Sequence, residues 1–361
     1  MMLPYFALLV FVFFTYAISD TLNLRQACGS RYFKFFTTSA LVLFAGLRNI
    51  NVGTDTVTYV WFWNRSLDYP SELTLFSEPL FDVYSLLTKQ ISNYFGLDYS
   101  FYLTGISLLV CLLYVNTIER HSNYRFQSLV TFILLGFYTF YFNGARQAIS
   151  VAIFFYSYRF ILSGERIKYF SLLFIAFLIH KSVILMLPFY WIFRLGLSRR
   201  TVFMVLICTI CVAFSVNYIV EFASSYDSRY SGYSSSEFEG GGLVSVMFYT
   251  SILIFLLTCK YVNKIELQLY DHCLLAMLLS VCIGWISVVL SLDPSGILRL
   301  ILYFTQFLIF SIPIAICSFK KGFSRTIISI GLYIFLTIYF YMTTSTFSGL
   351  VPYKFSLDFC L

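Results

Sequence analysis

YFSLLFIAFLIHKSVILMLPFYWIFR, residues 169–194, is the stretch whose reading decides the fold. It is apolar apart from His180 and Lys181 at its middle, and its flanks are basic, with Arg166 and Lys168 before it and Arg194, Arg199 and Arg200 closing it. A single tilted helix of these 26 residues would leave one basic flank on each side of a membrane. Cytoplasmic loops carry an excess of Lys and Arg, so both flanks belong inside, and that requires a pair of short helices turning at His180-Lys181. The single-helix reading would also invert everything downstream and export the basic loops Lys260–Lys264 and Lys320–Arg325.

The remainder of the chain is as apolar as this stretch. Of 361 residues, 59% are hydrophobic and only 11% charged, with a mean hydropathy of +0.81. A soluble domain carries about 25% charged residues, so composition alone predicts an all-α polytopic membrane protein. Apolar stretches long enough to cross roughly 30 Å of hydrocarbon place about ten full transmembrane helices. They run at about 3–19, 33–47, 99–118, 126–142, 147–163, 201–220, 243–259, 270–292, 297–318 and 325–342. The first lacks a basic leader and a small-residue cleavage site, so it reads as a retained span. Residues 1–361 then form a single integral membrane domain with outer loops at 48–98 and 221–242.

Charge follows this topology. Of the 24 Lys and Arg, 16 fall inside and 8 outside, while the acids divide 5 inside and 12 outside. The +7 total is therefore a signature of membrane orientation, not of nucleic-acid binding. Both termini come out external. Within the first outer loop, Leu80, Phe81, Tyr84, Leu87 and Ile91 fall at helical spacing, which predicts an outer amphipathic helix at about 77–95, capped by Ser77 with Pro79 near its start. The second loop, rich in Ser, Tyr and Gly, suits either a mobile sugar-binding segment or a plain connector. Cys208 and Cys211 form a CxxC inside an apolar helix, which reads as core packing. No phosphate-binding glycine loop, nucleophile elbow or metal-spaced cluster is present, so neither a metal nor a cofactor is expected.

A small set of polar residues carries the chemistry. An arginine near hydrocarbon costs about 2.5 to 3.5 kcal/mol on insertion scales, yet Arg48, Arg146 and Arg299 all end long apolar runs on the outer side. Arg146, in the Asn143-Gly144-Ala145-Arg146-Gln147 turn, sits where a helix starts, and a cation there calls for an anion. Arg299, Tyr303 and Gln306 make a polar stripe along one helix face, although pairing of Arg299 with Asp293 would also account for it. Arg48 can instead snorkel to the interface. Asp55 and Tyr59 share one face of a short helix, where they either orient a hydroxyl substrate or cap that helix. His180 lies at a helix break, with Lys181 beside it, as a general base, a phosphate donor or a structural group.

Taken in order, these segments resemble the EpsG-like branch of the Wzy-type polysaccharide polymerases. The segments are R-x3-V-G-T-D-T-x2-Y from Arg48 to Tyr59, S-E-P-L-F from Ser77, R-Q-A-I-S from Arg146, I-H-K-S from Ile179, and R-x3-Y from Arg299 with Pro313 downstream. The resemblance covers residues 45 to 315. It implies a bacterial plasma-membrane glycosyltransferase whose active site faces the periplasm. Such an enzyme joins undecaprenyl-diphosphate-linked oligosaccharide repeat units into O-antigen, capsule or exopolysaccharide, among membrane lipids and with a chain-length regulator as a candidate partner. The short loops at Arg146 and Arg299 depart from the long arginine-bearing loops of better-described Wzy proteins.

Diphosphate leaves well, so the reaction needs cations to hold it and a base for the acceptor proton, and no metal. Arg146 and Arg299 are the expected diphosphate ligands, with Arg48 and Lys181 assisting. His180 or Asp55 is the expected base, and Tyr59, Glu78, Gln147 and Tyr303 are the expected sugar contacts. The rival functions are a flippase for lipid-linked oligosaccharides, which would line a path through both leaflets, and a membrane acyltransferase acting on surface glycans.

Overall fold

The computed structural model describes residues 2–21, 27–68, 78–226, 242–291 and 294–356. Among them the regular structure is helical. The first helices are α1 (Leu3–Thr21), α2 (Ala27–Gly46), α3 (Thr56–Arg65), α4 (Pro79–Phe95), α5 (Tyr99–His121), α6 (Arg125–Leu134), α7 (Phe137–Phe140) and α8 (Ala145–Ser163). They are followed by α9 (Arg166–Phe177), α10 (Phe189–Leu195), α11 (Arg199–Tyr226), α12 (Leu243–Val262), α13 (Gln268–Val289), α14 (Pro294–Thr305), α15 (Leu308–Ser318) and α16 (Phe323–Met342). Hydrocarbon offers no partner to backbone N–H and C=O groups, and only a helix or a closed barrel satisfies them internally. Hydroxyls inside the helices follow the same rule: Ser107, Thr131 and Thr250 each donate to the carbonyl four residues back, at 2.7 to 2.8 Å.

This is an all-α polytopic membrane protein. Tyr99–His121, Leu243–Val262, Gln268–Val289 and Phe323–Thr346 are long and apolar enough to cross a membrane. Arg299–Thr305 and Leu308–Ser318 make a further span if the pair, bent by 42°, is taken as one. These fall where the sequence places spans at 99–118, 243–259, 270–292, 325–342 and 297–318. The expected continuous span at 126–142 is interrupted, because α6 ends at Leu134 and Gly136 adopts a left-handed φ of 76° before the short α7. In the bent pair, Gln306 Nε2 donates to the Tyr303 carbonyl at 3.1 Å, satisfying an acceptor at the break. Cys208 and Cys211 are exposed on α11 rather than packed in a core.

The described chain divides into two compact units, one of residues Met1–Leu187 with Thr326–Leu361 and one of Pro188–Arg325. In the first unit the chain reverses at the His180-Lys181 break. His180 is extended, and a 3₁₀ turn spans Lys181–Met186. The Tyr169 hydroxyl, near the start of α9, donates to the Met186 carbonyl at 2.6 Å. On a straight helix those residues would be about 25 Å apart, so the segment folds back on itself. The reversal is pinned from α8, where Ser150 Oγ donates to the Ala176 carbonyl at 2.8 Å, an acceptor that also takes the His180 N–H at 2.8 Å.

The amphipathic helix expected in the first loop exists as α4, but its packing face differs from the apolar stripe read from the sequence. Phe81, Ser85, Thr88 and Ser92 are buried, while Leu80, Leu87 and Ile91 are exposed. Small hydroxyl residues sit on the packed side, and the aliphatic side chains turn outward. Ser77, expected as its cap, lies outside the described residues, as does most of the loop 221–242. The position before Pro79 is held by Glu78. The C-terminal segment docks on this same end of the first unit: the Gly53 N–H donates to the Gly349 carbonyl at 2.9 Å, Asn49 to Lys354 at 2.8 Å, and Ser356 to Leu47 at 2.7 Å.

Candidate functional site

Gly53 opens the site. Its φ of 95° is closed to most side chains, and a Cβ there would stand 2.6 Å from Asn143 Oδ1. That amide oxygen accepts the Thr54 N–H at 2.8 Å, while Asn143 Nδ2 donates to the Ser348 carbonyl at 2.7 Å. The turn before α8 is thereby locked to the turn before α3. Asp55 takes the N-cap position of α3 without a side-chain capping bond, and its carboxylate accepts from the Thr54 hydroxyl at 3.0 Å. Tyr59, one turn on, sets its ring against Phe81 with centroids 5.9 Å apart.

Arg146 lies in the first turn of α8, and the anion it calls for is in the chain itself. Its Nη1 donates to Glu78 Oε2 at 2.8 Å. The other carboxylate oxygen, Oε1, faces His180 Nδ1 at 2.8 Å. Glu78 is only 1% exposed, whereas the Arg146 and His180 side chains keep 23% and 22%. A sealed carboxylate therefore holds two basic groups that still reach the surface. Burial pushes the Glu78 carboxyl upward, but the hydrogen bonds and charges of His180 and Arg146 outweigh it and bring it down to about 2. Ionised, Glu78 is only an acceptor, so the proton between them belongs to Nδ1 and the Nε2 lone pair of a neutral His180 points away.

Backbone geometry holds the carboxylate in place. Glu78 adopts φ 63° and ψ 52°, a left-handed conformation that a non-glycine residue takes at a cost. The Leu80 N–H then donates to the Leu178 carbonyl at 3.0 Å, fastening the start of α4 to the end of α9 two residues before His180. Phe81 lies beneath the guanidinium, 5.0 Å from Arg146 Cζ to the ring centroid. Sequence reasoning assigned Glu78 to sugar hydroxyls, but both its oxygens are occupied by Arg146 and His180. The available signal was an acid set in an otherwise apolar S-E-P-L-F run, opposite two basic residues that are themselves in apolar surroundings.

The other candidates are distributed. Gln147 is buried beside Arg146, and Lys181 is half-buried at the start of the 3₁₀ turn. Arg48 is sealed, at 1% exposure. Its Nη1 donates to the Ala45 carbonyl at 2.6 Å, its Nε to Thr56 Oγ1 at 3.3 Å, and its Cζ lies 4.3 Å from the Phe142 ring centroid. Those contacts join the end of α2, the start of α3 and the turn before α8, and leave it no surface for a ligand. Arg299 and Tyr303 belong to the second unit, the former exposed and the latter fully buried. No group of three or more metal-ligating side chains occurs among the described residues.

Residues 31–355 match the model of the EpsG family, a range that contains all the motifs above. No curated protein and no solved structure gives a significant match.

Proposed function

Because this chain belongs to the EpsG family of polysaccharide polymerases, we propose that it lengthens a surface glycan at the outer face of the bacterial plasma membrane, using undecaprenyl-diphosphate-linked oligosaccharides. The observation that carries this reading is the Glu78 carboxylate bracing His180 and Arg146 together. The sugar hydroxyl of the incoming repeat unit attacks the anomeric carbon of the growing glycan. The new C–O bond forms as the bond to diphosphate breaks, and the hydroxyl proton passes to His180 Nε2. Glu78 orients the imidazole and stabilises the imidazolium that results. The N–H groups of Arg146 not used by Glu78, with Lys181, hold the departing diphosphate. Asp55 is the alternative base, while Tyr59 and Gln147 orient sugar hydroxyls. Arg48 acts here by fixing the Gly53–Thr56 turn. Attack opposite the leaving group gives inversion at the anomeric carbon.

Complementation of a deletion strain tests the proposal. The wild-type gene restores long glycan chains. His180→Ala, at equal protein level, leaves single-repeat material, since a positioned base supplies about 10²- to 10⁴-fold. Absence of any surface repeat in the deletion strain would indicate a flippase, and full-length polymer lacking a substituent would indicate an acyltransferase; either overturns the reading.

A further inference from the structure

At the opposite end of the first unit, α2, α5 and α8 line an open cavity of about 330 Å³ whose lining includes Lys34, Glu119, Arg120, His121, Tyr156 and Arg159. Arg159 lies 13 residues beyond Arg146 on α8, about 20 Å along the helix axis. The charge topology places this end in the cytoplasm, where surplus Lys and Arg ordinarily stand in water. Arg159 does not. Its Nε is buried without a hydrogen-bond partner among the described residues. Its guanidinium carbon lies 4.0 Å from the Tyr156 ring centroid and 4.3 Å from that of Phe160.

A buried N–H donor without an acceptor is costly, and a guanidinium flanked by rings has its orientation fixed before any ligand arrives. The cavity sets three cations, Lys34, Arg120 and Arg159, against one carboxylate, Glu119, and that carboxylate already takes Arg125 at 3.4 Å. Lys34 is held at the rim by its hydrogen bond to Asn116 Oδ1. The lining therefore has excess positive charge, an oriented fork and unused donors, with room for a tetrahedral anion. We propose that this cavity binds a phosphate group from the cytoplasmic side, either the phosphodiester of an inner-leaflet phospholipid headgroup or inorganic phosphate.

The test uses the purified full chain in detergent, with its thermal unfolding followed against inorganic phosphate in one arm and a short-chain phosphatidylglycerol in the other. A saturable rise in Tm in either arm, with an apparent affinity weakened about tenfold or more by Arg159→Gln, supports the site and identifies its source. The exposed Arg120→Gln serves as a second variant should Arg159→Gln unfold, and weakened binding is expected there too. No saturable rise in either arm, or equal affinity in every variant that folds, overturns the proposal. An equal concentration of a short-chain diacylglycerol, which lacks the phosphate, controls for the acyl chains, and a rise with it as large as with phosphatidylglycerol also overturns the proposal.

Discussion

Replacing Glu78 by Gln probes the site where it is most constrained. Both carboxylate oxygens accept from an N–H, one on Arg146 and one on His180. An amide has a single acceptor, so it keeps Arg146 only by presenting its NH₂ to His180, whose proton must then move to Nε2. The fall of the carboxyl from its usual 4.5 to about 2 corresponds to favourable interactions worth about 3 kcal/mol. Arg146 and His180 remain part-exposed, so water recovers some of that, and the expected loss is about 2 kcal/mol. For a chain of this size the expected fall in Tm is about 4 °C at pH 7. Glu78→Gln, Arg146→Gln and the double variant, purified in detergent, form a thermodynamic cycle in which the double variant loses little more than either single one. The Glu78 contribution is full above the unfolded-chain value near 4.5 and disappears as pH falls toward about 2. Wild-type Tm therefore drops more steeply than that of Glu78→Gln across this acid window. Strictly additive losses, or a single-variant loss below about 0.5 kcal/mol, would refute a coupled buried cluster.

Three further outcomes follow from the geometry. Tyr169→Phe deletes the hydrogen bond that closes the hairpin onto Met186 and lowers stability by about 1 kcal/mol, read by the same melt; an unchanged Tm would mean that the bond holds nothing. Gly53→Ala forces a Cβ to 2.6 Å from Asn143 Oδ1 at a left-handed φ, costs about 2 kcal/mol and shortens the glycan made in the complemented strain; normal chain length would show that the turn is dispensable. In a cysteine-free background, Thr54→Cys reacts with a membrane-impermeant maleimide on whole cells, whereas Ile167→Cys and Arg200→Cys react only after permeabilisation. All three positions are exposed in the fold, so labelling of Ile167→Cys and Arg200→Cys from opposite sides would make the segment a single span.

The sequence by itself determined the all-helical membrane class, because hydrocarbon leaves a backbone few alternatives and composition alone shows that most of the chain meets hydrocarbon. It also pointed to the break at His180-Lys181, because the positive-inside rule asks a segment with two basic flanks to reverse. Local cues went less far. The interruption at Gly136 was hidden in an apolar run, where a left-handed glycine looks like any other small residue. The face of α4 was misread because here the aliphatic side turns outward and hydroxyl residues pack inward, the reverse of a soluble helix. The pairing of Glu78 with both Arg146 and His180 could only come from tertiary structure. These residues are 68 and 102 positions apart, and no periodicity links them. Sequence argument required an anion at Arg146 from the dipole of its helix; only the fold supplied that anion from within the chain, because a left-handed Glu78 and the Leu80–Leu178 hydrogen bond bring a remote carboxylate to the helix end.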